Sequence, residues 1–551
     1  MVKLNQKHLN IGLLVLFAAL AVLRFTDLDA DAPAYNLAGI NTTDEPYYCI
    51  YGLNDHLESE SRLIKDLQNQ NTSFLMQHNY LMTRLGLSVF GTTYYGLRLG
   101  VVLASLLAIW LLFLSLRKQY LLSVSRQFLV LLFIGIESSF FIFSRFQTPQ
   151  FYSIFWSILV FYAFVSIRSK FLNGAIVAAL IIISVVWVYP YLAYVSIGYL
   201  LWVLVESFRS KSFTGILASA MGLAAGVGFI SVAFLINGDN PLAYFDFLSS
   251  INEVRDESQS SFSLRQIFIS LLQIPYTNLI RFNPILGVMG MVGAGYTLVN
   301  YQKSTPLGRF AAFILISAFL QSFFIHSYPF KKWVTLMPVL VILATELLLA
   351  INFQKSKWRF VWYASIPLIA ALVAKGVLTS NQSLYWSGFA EDYNIELLPY
   401  GVNYFYVSCA GFSLVLVIAL IWKRSMFTYA YAAMILTAVF TTSSYLSNTT
   451  FEFRNSLKGF SSEIDKNTLI IGDFPHAFAF YNTGQVAHNP YSLVFNFIQS
   501  EQVDQVVSRF DRSIIIKKNL NQHLSPEIIN LYGSSYKREF DQTLMLYIRQ
   551  R

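Results

Sequence analysis

The chain has 551 residues, of which 55% are hydrophobic and only 13% charged, with a mean hydropathy of +0.51. That composition excludes a soluble globular protein, because a chain this apolar needs lipid as solvent over much of its length. The net charge of +9 does not point to nucleic acid, since the basic residues fall in short groups between apolar runs, as loop anchors do.

In chain order, the rule of roughly 20 apolar residues per crossing gives about thirteen spans. They centre on residues 10–25, 97–116, 126–143, 151–167, 172–189, 191–207, 213–236, 284–300, 309–326, 333–351, 360–379, 403–422 and 425–446. No small-residue cleavage site follows the first run, which reads as a retained anchor. Residues 172–207 are too long for one crossing, so a tight turn is expected near Tyr189-Pro190-Tyr191. The fold class expected is therefore an α-helical polytopic membrane protein. Its transmembrane domain covers residues 1–446, and a small α/β domain follows at 447–551. Within the latter, 468–473, 513–518 and 542–549 read as strands, and 475–482 and 494–509 have helical spacing. Residues 53–68 and 264–283 read as helices lying in the membrane interface.

Orientation follows from Lys and Arg. Lys3 and Lys7 precede the first span, and Arg117-Lys118, Arg168/Lys170, Arg209/Lys211, Lys303/Arg309, Lys355/Lys357/Arg359 and Lys423-Arg424 recur after every second span. These short loops are expected on the cytoplasmic side. Loops 26–96, 144–150, 237–283, 327–332 and 380–402 and the C-terminal domain are then extracytoplasmic, where most acidic residues fall.

Two features of the outer loops carry chemistry. The first is Asp44-Glu45, with Tyr47, in the large acidic and aromatic loop 26–96. A carboxylate partly desolvated beside the membrane could take the proton of an acceptor hydroxyl attacking an activated sugar. The second is Lys331-Lys332 on a short outer loop, against the positive-inside bias, with His326 and Tyr328 beside it. Snorkelling at the interface is the plain alternative for these lysines. Arg145 in the second outer loop, and Arg84 or Arg98 in or after the first, offer guanidinium forks suited to phosphate. Lys375 and Glu346 fall inside spans but near their ends, where snorkelling or pairing accounts for them.

In this order the motifs resemble the C-type glycosyltransferases of the dolichyl-phosphate-mannose protein mannosyltransferase superfamily, a group that includes the bacterial aminoarabinose lipid A transferase. The first span ends in Leu23-Arg24, the outer loop carries Asp44-Glu45, and Phe90-Gly91 then Arg98 lead into the second span. Ser144-Arg145 with Pro149 resembles the second outer loop, and the run from Lys332 to Pro338 the approach to a late span. The resemblance implies an inverting transferase taking a sugar from a polyprenyl-phosphate donor. Asp44 and Glu45 would be catalytic, and Lys331, Lys332, Arg145, Arg84, His326 and Tyr328 would serve the donor phosphate. Tyr47, His78 and Gln150 would line the acceptor groove. Many relatives carry an acid a few positions after the second-loop arginine, where this chain has Gln147 and Gln150. His78 falls where relatives often have a histidine-proline or lysine-proline element, without the proline.

The partners expected are the lipid donor, the bilayer and an acceptor of unspecified class (protein, lipid or glycan), with no nucleic acid. No cofactor is expected, since there is no P-loop or dinucleotide fingerprint; Cys49 and Cys409 give no metal spacing, although a divalent metal is not excluded. The alternatives are a transporter or flippase of lipid-linked sugars, which would call for paired repeats not found in the sequence, and a non-catalytic scaffold of the same architecture.

Overall fold

The computed structural model describes residues 6–30, 77–147, 149–188, 192–236, 283–324, 334–350 and 426–447, with short stretches between 455 and 550. The helices are α1 (Gln6–Phe25), α2 (Gln77–Phe90), α3 (Tyr94–Tyr120), α4 (Val124–Ile136), α5 (Ser138–Phe143), α6 (Pro149–Ser166) and α7 (Lys170–Ile183). They continue with α8 (Ala193–Ser210), α9 (Thr214–Ile236), α10 (Pro284–Val299), α11 (Pro306–Phe324), α12 (Met337–Ala350) and α13 (Met426–Ser447). Every expected span that falls on described residues is helical, because apolar runs in lipid must satisfy their backbone groups internally. The expected spans 360–379 and 403–422 and the interfacial segments 53–68 and 264–283 lie outside the described residues.

Four helical segments are individually long and apolar enough to cross a membrane: His8–Phe25, Tyr94–Tyr120, Lys170–Val188 and Thr214–Ala233. Shorter apolar helices pack around them. Leu14, Val15, Val22, Leu103, Leu107, Val227 and Val232 are exposed on these helices, the arrangement of side chains that face hydrocarbon. Close approaches fall at small residues. A Cβ on Gly222 would stand 2.0 Å from the Ala175 carbonyl oxygen where α9 meets α7.

The helices differ from the expectation in two places. Helix α2 occupies the end of the segment read as outer loop 26–96. The span expected at 126–143 is broken at Glu137, whose backbone leaves the helical region (φ −53°, ψ 127°). Its carboxylate accepts hydrogen bonds from the Phe140 N–H (2.9 Å) and the Ser139 hydroxyl (2.6 Å), which caps α5. Residues 172–207 form two helices, as expected, and α7 ends in a π-helical turn, Ser184–Val188.

Near the C-terminus, strands β1 (Thr468–Gly472), β2 (Gln485–Ala487), β3 (Arg512–Lys518), β4 (Tyr536–Glu539) and β5 (Leu544–Gln550) form one mixed sheet ordered β2-β1-β3-β5-β4. Strand β1 pairs in parallel with β2 and β3, with Ile470 opposite Ile514. The β3–β5 and β4–β5 pairs are antiparallel. The three strands read from the sequence coincide with β1, β3 and β5. The helices expected between them lie outside the described residues.

Candidate functional site

Three buried arginines gather near the end of α1 and the residues just beyond it, 26–30. Arg98 on α3 donates from Nη1 to the carbonyls of Leu28 and Ala30, each at 2.6 Å. Arg145, just after α5, donates from Nη2 to the Asp27 carbonyl at 2.7 Å. Arg24, in the last turn of α1, donates from Nη1 to the Gly135 carbonyl of α4 at 2.7 Å. These side chains are 2%, 1% and 0% exposed, so the bonds form away from solvent, where charge-assisted contacts are strongest. Aromatic faces complete their surroundings. The Arg98 guanidinium lies over Tyr94 and Phe146 at 4.6 and 5.1 Å, and Arg145 and Arg24 lie over Phe141 at 5.5 and 5.3 Å.

What Arg98 and Arg145 hold is a tight bend. Asp27 has φ +49°, in the left-handed region that a residue with a Cβ seldom adopts, and the Ala30 N–H returns to the Asp27 carbonyl at 3.0 Å. Holding a non-glycine residue there costs on the order of 1–3 kcal/mol and requires surroundings that over-determine it. The clamped residues 27–30 open the segment that carries Asp44-Glu45.

The Phe90-Gly91 motif places Arg98. Gly91 ends α2 at φ +66°, with its N–H bonded to the Leu87 carbonyl at 2.8 Å, a conformation glycine adopts without a Cβ penalty. Thr93 then caps α3 by accepting the Gly96 N–H at 3.1 Å. A Cβ on Gly86 would stand 1.8 Å from the Gly96 carbonyl oxygen, so the two helices fold back against each other almost backbone to backbone.

The first turn of α2 lies against α6 and the π-turn. The His78 ring meets Tyr152 at 4.5 Å, Trp156 at 6.1 Å and Trp187 at 6.1 Å, edge to face. Burial pushes the His78 imidazole down to about 4, so it is neutral at physiological pH. Gln147 joins the same helices: its Oε1 accepts the Tyr152 hydroxyl at 2.8 Å, and its Nε2 reaches Thr83 Oγ1 at 3.3 Å. At the position where relatives often carry an acid, this chain therefore has a neutral linker.

Of the residues singled out from the sequence, Arg98, Arg145, His78 and Gln147 come together in this region. Arg84 is exposed on α2, and Gln150 lies in the first turn of α6. Asp44, Glu45, Tyr47, His326, Tyr328, Lys331 and Lys332 lie outside the described residues. Among the described residues no group of His, Cys, Asp and Glu could hold a metal ion. Glu346 is buried, 4% exposed. It accepts the Thr305 N–H at 2.8 Å and the Thr305 hydroxyl at 2.5 Å, tying α12 to the start of α11. Glu206, on α8, pairs with Arg309 at 3.1 Å and accepts the Tyr301 hydroxyl at 2.7 Å. The residues missed from the sequence are Glu137, Tyr152, Trp156 and Trp187. Glu137 carried a signal, an acid inside an apolar run; the aromatic residues carried none, being ordinary in such a run.

Superposed on solved structures, the chain matches ArnT from Cupriavidus metallidurans bound to undecaprenyl phosphate, with a TM-score of 0.59 and 15% identity over 98% of both chains. The apo state of the same protein gives 0.58, also at 15% identity over 98% of both chains. The chain has the ArnT fold. The resemblance read from the sequence, to the group that contains the aminoarabinose lipid A transferase, thus holds at the level of architecture. With the ArnT fold and its apolar helices, the chain is an integral membrane protein. The oligosaccharyltransferase of Archaeoglobus fulgidus in its apo form gives a TM-score of 0.41 and 12% identity over 92% of this chain and 69% of that one. No protein-family model matches the sequence, and no curated protein matches it.

Proposed function

We propose that the chain is an inverting membrane glycosyltransferase that transfers a sugar from a polyprenyl-phosphate donor to an acceptor on the extracytoplasmic face. The observation that carries this reading is the ArnT fold over 98% of both chains, matched to a structure that holds undecaprenyl phosphate. Asp44 acts as general base on the acceptor hydroxyl, and Glu45 supports the loop. Lys331 and Lys332, with His326 and Tyr328, take the donor phosphate and stabilise it as it leaves. Tyr47 and Gln150 line the acceptor groove. Arg84, exposed on α2, is a further candidate for the headgroup. Arg145 is better suited to another duty than the phosphate role its type suggests. It is 1% exposed and holds the Asp27 carbonyl, so with Arg98 it fixes the start of the loop that bears Asp44. A base must be held within hydrogen-bond reach of its proton, and a braced loop root serves that need.

The test is Asp44→Asn in the purified protein, assayed with a radiolabelled undecaprenyl-phosphate sugar. The substitution is nearly isosteric and removes basicity, so transfer should fall by about 10²–10⁴-fold with donor binding retained. Transfer at the wild-type rate would refute the mechanism.

A further inference from the structure

Four polar side-chain atoms around the His78 cluster are shielded from solvent and have no hydrogen-bond partner among the described residues: His78 Nδ1, Asn79 Oδ1, Trp156 Nε1 and Trp187 Nε1. Buried polar groups in native proteins are nearly always paired, so a group of unpaired ones calls for something that arrives to pair them. They come from three separate elements, the first turn of α2, the middle of α6 and the π-turn, and the ring contacts bring these elements together. The π-turn matters because such turns interrupt regular helix and concentrate at functional sites. Here it carries Trp187.

The chemistry of the set is specific. Two indole N–H groups donate, an amide oxygen accepts, and an imidazole offers one nitrogen of either kind. Tyr152, Trp156 and Trp187 add aromatic faces, and none of these side chains carries a charge at neutral pH. Phosphate or carboxylate would require cations, and an ammonium group would be served by a carboxylate; this set supplies neither. Hydroxyl groups both donate and accept, and the C–H faces of a ring pack against aromatic rings.

We infer that His78, Asn79, Trp156 and Trp187 form a subsite for an uncharged, hydroxyl-bearing ring, the sugar of the lipid-linked donor. The inference rests on the glycosyltransferase reading for its substrate class, but not on Asp44. The subsite adjoins the braced loop root, because Gln147 lies two residues beyond Arg145 and bonds to Tyr152 and Thr83.

Two variants remove polar atoms and keep the rings, His78→Phe and Trp187→Phe, each in the full-length protein in nanodiscs. Binding is read by tryptophan fluorescence with undecaprenyl phosphate alone and with undecaprenyl phosphate carrying glucose, mannose, galactose or arabinose. Soluble methyl glycosides of the same sugars form a second arm. In the wild type at least one lipid-linked sugar should bind more tightly than the bare phosphate, and each variant should lose about tenfold of that gain. Affinity for bare undecaprenyl phosphate should not change. A gain confined to the soluble glycosides, lost in the same variants, would keep the ring-binding subsite but assign it to the acceptor. If no sugar adds affinity in the wild type, or both variants keep the full gain, the inference is overturned. Asp44→Asn separates the two readings. An inert Asp44→Asn protein with an unchanged sugar gain in the ring variants sinks the subsite alone. An active Asp44→Asn protein with the gain lost in the ring variants sinks the base mechanism alone.

Discussion

Arg98→Ala should loosen the bend at residues 27–30. Arg98 makes two hydrogen bonds of 2.6 Å to backbone carbonyls, with its side chain 2% exposed. A hydrogen bond to a charged group contributes about 1.5–3 kcal/mol, so the pair sets a ceiling of about 3–6 kcal/mol. Removing the guanidinium also leaves the Leu28 and Ala30 carbonyls to find water or go unpaired, and it empties the space between Tyr94 and Phe146. Part of the ceiling is recovered if water enters, so a loss of about 2–4 kcal/mol is expected. The assay is denaturant unfolding in detergent, paired with kinetics of sugar transfer. If Arg98 acts by holding this bend, kcat should fall more than the donor KM rises, since the phosphate site proposed above is at Lys331 and Lys332. Arg98→Lys keeps the charge but shortens the reach, and it should recover part of the stability and part of kcat. An Arg98→Ala protein with wild-type stability and kcat would refute the clamp. A donor KM raised with kcat unchanged would return Arg98 to a phosphate-binding role.

Other tests address single contacts. Gly86→Ala places a Cβ 1.8 Å from the Gly96 carbonyl oxygen and must push α2 from α3; it should cost more than about 2 kcal/mol in the same unfolding assay, with little effect from Gly228→Ala, where nothing lies within 4 Å. Glu346→Gln leaves one acceptor for the two Thr305 donors and should cost about 1–3 kcal/mol, whereas a lysine-pairing role would show as altered salt dependence instead. Protonation of His78 gives a pH signature. Its imidazole ionises near 6.5 when unfolded and near 4 in the fold, so stability is complete above pH 6.5 and falls as pH drops from 6.5 to 4. The full fall is on the order of 3 kcal/mol at about 1.4 kcal/mol per unit, and His78→Phe should remove this part of the pH dependence. A double Lys331→Ala/Lys332→Ala protein should weaken donor binding by at least tenfold and leave acceptor binding unchanged; unchanged donor affinity would make the lysines interfacial anchors.

The helices were legible because lipid imposes one simple rule, internal satisfaction of every backbone group, and apolar run length reports it directly. The strands of the C-terminal sheet were legible for a related reason: Leu469–Ile471 and Ile514–Ile516 are short branched runs bounded by polar residues. Breaks in helices were not. Glu137 ends α4 by turning its carboxylate onto the Ser139 hydroxyl and the Phe140 N–H, an event set by one side chain inside an otherwise unbroken run. The π-turn at Ser184–Val188 is likewise invisible to a hydropathy window, since Ser, Val and Trp suit either helix.

The site was legible as a list of residue types, less so as a set of roles. Arginine in an outer loop reads as a phosphate ligand because its fork fits phosphate, yet the same fork fits backbone carbonyls when the chain bends sharply nearby. Sequence cannot weigh these uses, because the deciding fact is the bend at Asp27, which depends on where α3 and α5 pack. Arg24, Arg98 and Arg145 come from three different parts of the chain and converge only through that packing. The substitution of Gln147 for an acid belongs to the same arrangement. A carboxylate there would sit between Tyr152 and Thr83, two side chains able to donate to it, and its charge would be buried. Glutamine offers both an acceptor for Tyr152 and a donor for Thr83 and stays neutral beside a neutral His78. The region therefore keeps positive charge on its clamped arginines and none among its aromatic rings.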